Sequence, residues 1–352
     1  MKKFLMTVLS VCLALVLTVV SGCSCAGCNG ATLLEFNNYF LGESVTGDAT
    51  VGYTETLTYK VKSADNYKTT NLEKSSEIKD EVALYSYEGT YTVTLSVINA
   101  VSLPAEITTN IDLEGKTVYH LISDLQIAST YTVNGNYAEG YQNETTENGN
   151  VLYNDYVKSE VYFLGSGYSF APIWSTTEQS YSYLLLGSKA NVEVTKSKNT
   201  IAYNKGSYKI QKYENDEVVD SSNHGYDYRS LIDNAQLLFA IRNTDIKKDG
   251  SYSAPTVSSA FGSAKTILIK HKSETTETVV INGSSKSVPV KNLTYAVNSQ
   301  YNTGTSHHVL LQKNATNDLD FHSYVIEYAA PLVAYGSFAS MGAMVYTLES
   351  IA

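Results

Sequence analysis

A strict two-residue alternation of side-chain types recurs along this chain and limits what it can fold into. Between Tyr53 and Val61, one set of alternate positions carries mostly tyrosine, leucine and valine, and the other carries threonine and lysine. The same alternation runs through 91–97 and 119–127. Successive side chains of a strand point to opposite faces, so this period predicts strands with one packed and one wet face. The 29 tyrosines, against nine phenylalanines and one tryptophan, suit such half-buried surfaces.

Residues that tolerate a positive φ separate these runs. Asn204-Lys205-Gly206 and Asn282-Gly283 are of this kind, and they predict hairpins over 199–213 and 279–297. No regular strand–helix alternation lies between the hairpins. The pattern therefore favours antiparallel pairing over a parallel α/β sheet.

Two segments have helical character. Ala31–Leu41 clusters large apolar residues, and Ser230–Arg242 carries Leu231, Ala235 and Leu238 on one helical stripe, with Ser230 and Asp233 as a capping-box-like start. We predict a mainly β (α+β) fold: one or more curved antiparallel sheets with one or two packed helices. Lipid-carrying and lipid-sensing bacterial lipoproteins are similar at the level of fold.

A polar stretch, 214–225, divides the chain after residue 213. It predicts either a domain boundary or a long loop. We divide the chain into residues 1–22, a tether with a short helix at 23–45, an antiparallel β region at 46–213, and a helix plus β region at 214–352. The last two form either separate domains or one continuous domain.

The first 23 residues have the pattern of an export signal. Lys2 and Lys3 precede an apolar run, Phe4–Val20, which ends in Val20-Ser21-Gly22-Cys23. This site resembles the lipobox of bacterial lipoproteins. The resemblance implies cleavage before Cys23, acylation of Cys23 (palmitate or a similar chain), and attachment to the extracytoplasmic face of the cell membrane. The alternatives are an uncleaved signal anchor and a secretory peptide with an incidental cysteine.

The net charge and the positions of the cysteines limit which partners the protein can bind and in which cellular compartment it can fold. The net charge is −10, and removal of 1–22 would take away two basic residues and no acidic ones. An acidic chain argues against nucleic acid as a partner. Residues 29–352 contain no cysteine, which excludes a disulfide framework for the folded body. We interpret Cys25 and Cys28 as incidental thiols or a local disulfide.

No catalytic, metal or cofactor motif stands out, so we expect no metal site and no cofactor. Two carboxylates lie among aromatic and aliphatic residues, Glu160 and Glu327. If buried, both would have a raised pKa and could serve a hydrolase that uses paired carboxylates. The other interpretation places each on the wet face of its strand.

Aromatic residues concentrate around the sole tryptophan, which lies beside Pro172 and the polar run Ser175–Thr177, a pattern typical of a loop. Aromatic faces stack on sugars and apolar ligands, and the polar tips of tyrosine and tryptophan form hydrogen bonds. The alternative is a tyrosine-rich core with cross-strand aromatic pairs. The candidate ligand-binding residues are Trp174, Tyr168, Phe170, Tyr181 and Tyr183.

These observations predict a membrane-anchored lipoprotein with a non-enzymatic role. It would bind or carry a small apolar or glycan ligand, or serve as a structural envelope protein; an extracytoplasmic hydrolase is the alternative. A cavity lined by leucine, isoleucine and tyrosine would favour a carrier, and an exposed aromatic strip would favour glycan binding. Two buried carboxylates across a cleft would favour the enzyme.

Overall fold

A computed structural model gives the architecture of most of the chain beyond the first 30 residues. The structure describes residues 31–34, 41, 49–63, 82–133, 150–165, 170–186, 190–226, 231–242, 244, 246–257, 263–298, 307–313, 320–327 and 344–352. The signal segment, the tether and Cys23 lie outside the described residues.

The described residues form sixteen strands and one short α-helix. The first eight strands are β1 (Thr32–Leu33), β2 (Thr54–Ser63), β3 (Val82–Asn99), β4 (Thr117–Val133), β5 (Asn150–Leu164), β6 (Pro172–Leu186), β7 (Ala190–Asn204) and β8 (Ser207–Glu214). The others are β9 (Glu217–Gly225), β10 (Ile232–Asp233), β11 (Ser251–Val257), β12 (Lys265–Ile281), β13 (Ser284–Asn298), β14 (His307–Lys313), β15 (Asp320–Glu327) and β16 (Met344–Ile351). The helix α1 is Leu237–Ala240, and 3₁₀ turns occupy Ala100–Ser102 and Asn234–Gln236.

All sixteen strands belong to one sheet, in the order β1-β11-β12-β13-β14-β15-β16-β2-β3-β4-β5-β6-β7-β8-β9, with β10 also paired to β11. Every pairing is antiparallel except the two short parallel ones of β1 and β10 with β11. Strand β16 lies between β15 and β2. It therefore connects the later strands of the chain with the earlier strand β2 in one sheet. The predicted mainly β, antiparallel fold is confirmed.

The sheet is curved, and its curvature brings distant strands into contact. The turn at Asn282 lies three strands away from β16 in the sheet order. Nevertheless, the main-chain N–H of Asn282 donates to the carbonyl of Glu349 at 2.8 Å, and its amide Nδ2 donates to the carbonyl of Ile351 at 2.9 Å. The β12–β13 hairpin therefore folds back over the sheet.

The core lies on the concave face, where the alternating positions of the strands meet α1. Tyr59, Tyr91 and Tyr346 are buried there and pack ring against ring. Leu238 and Phe239 of α1 belong to the same cluster. Burial of these large side chains removes apolar area from water, which is the dominant favourable contribution to folding.

Both predicted helices are wrong in extent. The segment predicted as Ser230–Arg242 begins with strand β10, and α1 is a single turn. The cap is Asp233, which accepts from the N–H of Ala235, while the Gln236 side chain accepts from the N–H of Asp233. Backbone pairing of β10 with β11 replaces the first predicted helical turn.

The segment predicted as a helix at Ala31–Leu41 contains strand β1 instead, paired with β11. Residues 35–40 lie outside the described part. The edge of the sheet offers β1 main-chain partners, and tertiary pairing of this kind overrides local helix preference.

The polar stretch at 214–225 is neither a long loop nor a break in the sheet. Asn215 and Asp216 both have positive φ and form a two-residue turn between β8 and β9. Strand β9 has no buried side chain, and only Ser222 and His224 are partly buried, so its sequence shows no apolar alternation.

Candidate functional site

The convex face of the sheet carries a set of aligned side chains from β4 to β8. Residues paired directly across strands lie on the same face, so the register defines rows. The first row is His120, Tyr162, Trp174, Ala202 and Lys209; the second is Ile122, Glu160, Thr176, Thr200 and Gln211; the third is Asp124, Lys158, Glu178, Lys198 and Tyr213.

One end of this face is covered by the segment that joins β3 to β4, residues 100–116, which we call the strap. Apolar side chains of the strap form a cluster with Tyr162, and Trp174 packs against the same cluster. Its middle is fixed to the β7–β8 turn, because the N–H of Asn110 donates to Asn204 Oδ1 at 2.9 Å and Asn110 Oδ1 accepts from the N–H of Lys205 at 2.6 Å. The strap therefore forms a wall beside the first row.

The strap and the three rows line a groove of about 610 Å³ that is open to solvent. This volume lies in the usual range of small-molecule sites, about 300–1,000 Å³. The residues that line it are mostly polar or charged: Glu106, Thr108, Ile122, Lys158, Ser159, Glu160, Trp174, Thr176, Glu178, Lys198, Thr200, Ala202, Gln211 and Tyr213.

Glu160 is held in a fixed position at the wall of the groove. Its Oε1 accepts hydrogen bonds from His120 Nε2 and from the hydroxyl of Tyr162, both at 2.7 Å. The hydrogen bond from His120 holds the pKa of Glu160 below its usual range, against the opposing effect of partial burial. Glu160 is therefore ionised at neutral pH and acts only as an acceptor.

Aromatic rings continue from this carboxylate to the tryptophan. The ring of His120 stacks on Tyr162, with centroids 4.2 Å apart and planes within 6°. Tyr162 in turn contacts Trp174 at a centroid distance of 6.1 Å. Trp174 is partly buried and presents its remaining surface to the groove.

The far side of the groove is formed by Tyr213 and two lysines. Lys198 Nζ lies 5.8 Å from the centroid of the Tyr213 ring and 3.4 Å from Asp216 Oδ1. Lys158 Nζ lies 5.6 Å from the ring centroid of Tyr156. These contacts orient both cations along the face.

Of the five candidate ligand-binding residues, the structure places Trp174 at the groove. The predicted loop around it is wrong, because Trp174 and Ser175–Thr177 are part of β6. The alternation is hidden at Ser175, which is buried and forms a hydrogen bond with Asp233. A polar residue thus occupies an inward position where an apolar one would have revealed the strand.

Two other candidates face the core, which corrects the prediction for them. Phe170 is buried on the concave side, where its ring centroid is 5.7 Å from that of Tyr119. Tyr181 is partly buried against the main core cluster. Tyr168 and the side chain of Tyr183 lie outside the described residues.

The sequence reasoning missed Tyr213, Lys198 and the strap residue Glu106. The first two had a usable signal, because the two-residue turn at Lys205-Gly206 fixes the register of β7 and β8 and sets Lys198 opposite Tyr213. Nothing in the local pattern indicates that Glu106 folds over the face.

Of the two interpretations of Glu160, the one with a buried side chain and a raised pKa does not fit the structure. The Glu160 side chain is only 34% exposed, yet the His120 hydrogen bond lowers its pKa. The side chain of Glu327 lies outside the described residues. The second interpretation, an acidic residue on the solvent-facing side of its strand, fits Glu160.

A separate charged cluster lies inside the core. Arg242 donates to both oxygens of Glu55, and His322 Nε2 lies 3.7 Å from Glu55 Oε1. Burial would raise the pKa of Glu55, but the charge and hydrogen bonds of Arg242 hold it below its usual range. With all three side chains at most 9% exposed, this cluster joins elements and is not open to a ligand from solvent.

Among the residues that the structure describes, no group of three or more histidine, cysteine, aspartate or glutamate side chains is arranged to hold a metal ion. No helix in that part of the chain is long and apolar enough to cross a membrane.

Comparison with known proteins gives one distant structural likeness. No protein family model matches the sequence, and no curated protein matches it either. The chain is similar to a crystal structure described as a beta-barrel-like protein of a domain of unknown function, DUF1849, from Brucella abortus. The identity is 8%, the TM-score is 0.43, and the likeness covers 86% of this chain and 98% of the other.

Proposed function

We propose that the protein is a lipid-anchored, extracytoplasmic binding module that holds a glycan in the groove on its convex face. The observation that carries this proposal is the arrangement of Trp174 beside the fixed carboxylate of Glu160 in an open, polar groove. Sugars present apolar C–H faces and hydroxyl edges together. An aromatic ring beside polar acceptors and donors matches both.

The length of the groove favours a chain of sugars over a single ring. Trp174 and Tyr213 are two strands apart and four residues apart along the strand direction, which corresponds to roughly 16 Å between their Cα atoms. Thr176, Thr200 and Gln211 lie between them and offer hydrogen-bonding groups along the way.

An apolar carrier is less well supported by the described residues. A carrier needs an apolar cavity, but the tyrosine rings on the concave face pack against one another with little or no exposed surface. The groove, by contrast, is open and combines exposed apolar atoms, such as those of the Trp174 ring, with side chains that form hydrogen bonds. Its chemistry suits a hydroxyl-rich ligand.

The hydrolase alternative requires a carboxylic acid that is protonated near neutral pH. Glu160 has a lowered pKa and so cannot supply that proton efficiently. The structure therefore offers support for binding at this groove and none for general acid catalysis by Glu160.

The lipid anchor is tested at Cys23. Cys23→Ala should release the protein from the membrane fraction or block its processing, because the acyl chains attach to this residue in lipoproteins of the kind that the signal resembles. Cys28→Ala, five residues further on, is the matched control and should leave fractionation unchanged. Membrane retention of Cys23→Ala with an unaltered mass would contradict the anchor.

Glycan binding is tested by the fluorescence of the sole tryptophan. Titration of the purified protein with neutral polysaccharides, such as β-glucan, mannan and xylan, should shift or quench the emission with at least one of them. Affinity electrophoresis in the same polysaccharide should show retardation that Trp174→Ala removes. Val280→Ala, an exposed site on β12, is the control and should be retarded like the wild type. Absence of any shift or retardation across the panel would overturn the proposal.

A further inference from the structure

We infer that the groove selects uncharged sugars and that Glu160 is the residue that orients them, by accepting hydrogen bonds from ligand hydroxyl groups. This inference rests on the proposed glycan-binding function and names its ligand class. It rests on the hydrogen bonds that the two carboxylate oxygens of Glu160 accept and on the charged side chains that line the groove.

The two oxygens of Glu160 have different surroundings. Oε1 receives both hydrogen bonds, from His120 and from Tyr162. Among the residues that the structure describes, none donates a hydrogen bond to Oε2. The carboxylate is thus fixed through one oxygen, while the other remains able to accept from a ligand in the groove.

The fixed position of Glu160 reduces the entropic cost of binding. His120 and Tyr162 are stacked in parallel, and their strands are paired directly. The carboxylate therefore does not have to be ordered when a ligand arrives. Trp174 lies in the first row, opposite Tyr162, and Glu160 lies in the second row, opposite Thr176. A sugar ring stacked on Trp174 would therefore have its hydroxyl edge near Glu160.

The charges that line the groove argue against an acidic sugar. Three carboxylates, Glu106, Glu160 and Glu178, face two lysines. Lys198 is also paired with Asp216, which lowers its capacity to attract an anion. A uronate or a sugar phosphate would therefore meet a net negative surface that disfavours its binding.

An amine is the remaining charged alternative, since carboxylates and an aromatic ring can also bind a cation. The polar row of Thr176, Thr200 and Gln211 distinguishes the two classes. These side chains match hydroxyl groups along a chain, whereas a compact cation would use none of them. A chain of amino sugars would use the same row, but the amine on each unit would also meet Lys158 and Lys198, which line the groove. The uncharged class is therefore the one that fits the whole groove.

The test compares three kinds of polysaccharide by affinity electrophoresis and calorimetry. Neutral β-glucan, mannan and xylan represent the uncharged class, polygalacturonate the acidic class, and chitosan oligomers the amine class. We expect at least one neutral polymer to bind more tightly than the other two classes. Glu160→Gln should weaken that binding about tenfold or more, as expected when hydrogen bonds to a charged acceptor are lost.

Two variants separate a binding effect from a folding effect. Glu217→Gln makes the same chemical change on the exposed strand β9 and should not alter binding. Tyr162→Phe keeps the ring but removes one hydrogen bond to Oε1, and it should weaken binding by a smaller factor than Glu160→Gln. Thermal unfolding of each variant identifies any that fails to fold, and Tyr162→Phe then carries the test.

The outcomes distinguish this inference from the proposed function. If no polysaccharide binds, both fall. If a neutral polymer binds and Trp174→Ala removes the binding, but Glu160→Gln leaves it unchanged, the function stands and the role of Glu160 is wrong. Tighter binding of polygalacturonate or of chitosan would overturn the ligand class while leaving the groove as the site.

Discussion

Glu55 on β2 and Arg242 after α1, 187 residues apart in sequence, form two hydrogen bonds of 2.7 and 3.1 Å inside the core. The Arg242 guanidinium also lies over the ring of Phe239, 4.1 Å from its centroid. This contact fixes the α1 segment to the concave face of the sheet. Removing one partner of a buried ion pair lowers the free energy of unfolding by more than the intact pair contributes to it.

Arg242→Met should destabilise the protein strongly, because it leaves the Glu55 carboxylate buried without its partner. We expect a loss of about 3–5 kcal/mol in the free energy of unfolding, measured with urea. Adding Glu55→Leu in the same chain should recover much of that loss. Lys212→Met, which removes an exposed pair with Asp220, is the control and should change stability by less than about 1 kcal/mol. A small effect of Arg242→Met would show that the pair is not essential to the core.

Acid should destabilise the fold through His322. Burial, together with the nearby positive charge of Arg242, lowers the pKa of His322 to about 3, although Glu55 acts in the opposite direction. The unfolded chain takes up this proton near pH 6.5, so stability falls as the pH decreases from about 6.5 to 3, by at most about 1.4 kcal/mol per pH unit. Asp155, whose pKa burial raises, opposes this trend.

The His322 contribution is isolated by comparing the wild type with His322→Gln. Urea unfolding of both proteins at pH 7, 6, 5 and 4 should give a smaller loss of stability with acid for the variant, because glutamine does not titrate. Identical slopes for the two proteins would mean that His322 is protonated in the folded state as readily as in the unfolded chain.

Much of the sheet could be predicted from the sequence, because side-chain alternation and tight turns are local features of the chain. The alternation in 53–61 and 91–97 records which face is buried, and the turns at 204–207 and 281–284 fix the register of their hairpins. Strand β9 could not be predicted in this way, because none of its side chains is buried and the two partly buried ones, Ser222 and His224, are polar.

The candidate site was less predictable than the sheet. Trp174 stood out by its rarity, but the hydrogen bond between His120 and Glu160 joins residues 40 apart whose register depends on a long connection. Glu106 reaches the groove only because the strap folds over the convex face. Such contacts are set by tertiary packing and not by a periodic pattern.

Gly89 should be required where β3 and β4 are paired. A Cβ atom added at Gly89 would collide with the main-chain carbonyl of Gln126 on β4. Gly89→Ala should therefore push the two strands apart and cost about 1–3 kcal/mol, as overpacking does elsewhere. Thr90→Ala, at the adjacent exposed position, is the control and should stay within about 0.5 kcal/mol of the wild type. Equal stability of Gly89→Ala and Thr90→Ala in urea would contradict the close approach.

The strap should control how far Trp174 is shielded from water. Asn110 holds the strap by two hydrogen bonds, one with Asn204 and one with Lys205, and apolar strap side chains belong to the cluster against which Trp174 packs. Asn110→Ala removes the bond to Lys205 and loosens the contact. We expect a red-shifted tryptophan emission, stronger quenching by iodide, and a loss of about 1 kcal/mol in stability, the usual worth of a hydrogen bond. Asn223→Ala, on exposed β9, should leave the emission unchanged. If Asn110→Ala also leaves it unchanged, the hydrogen bond between Asn110 and Lys205 does not shape this end of the groove.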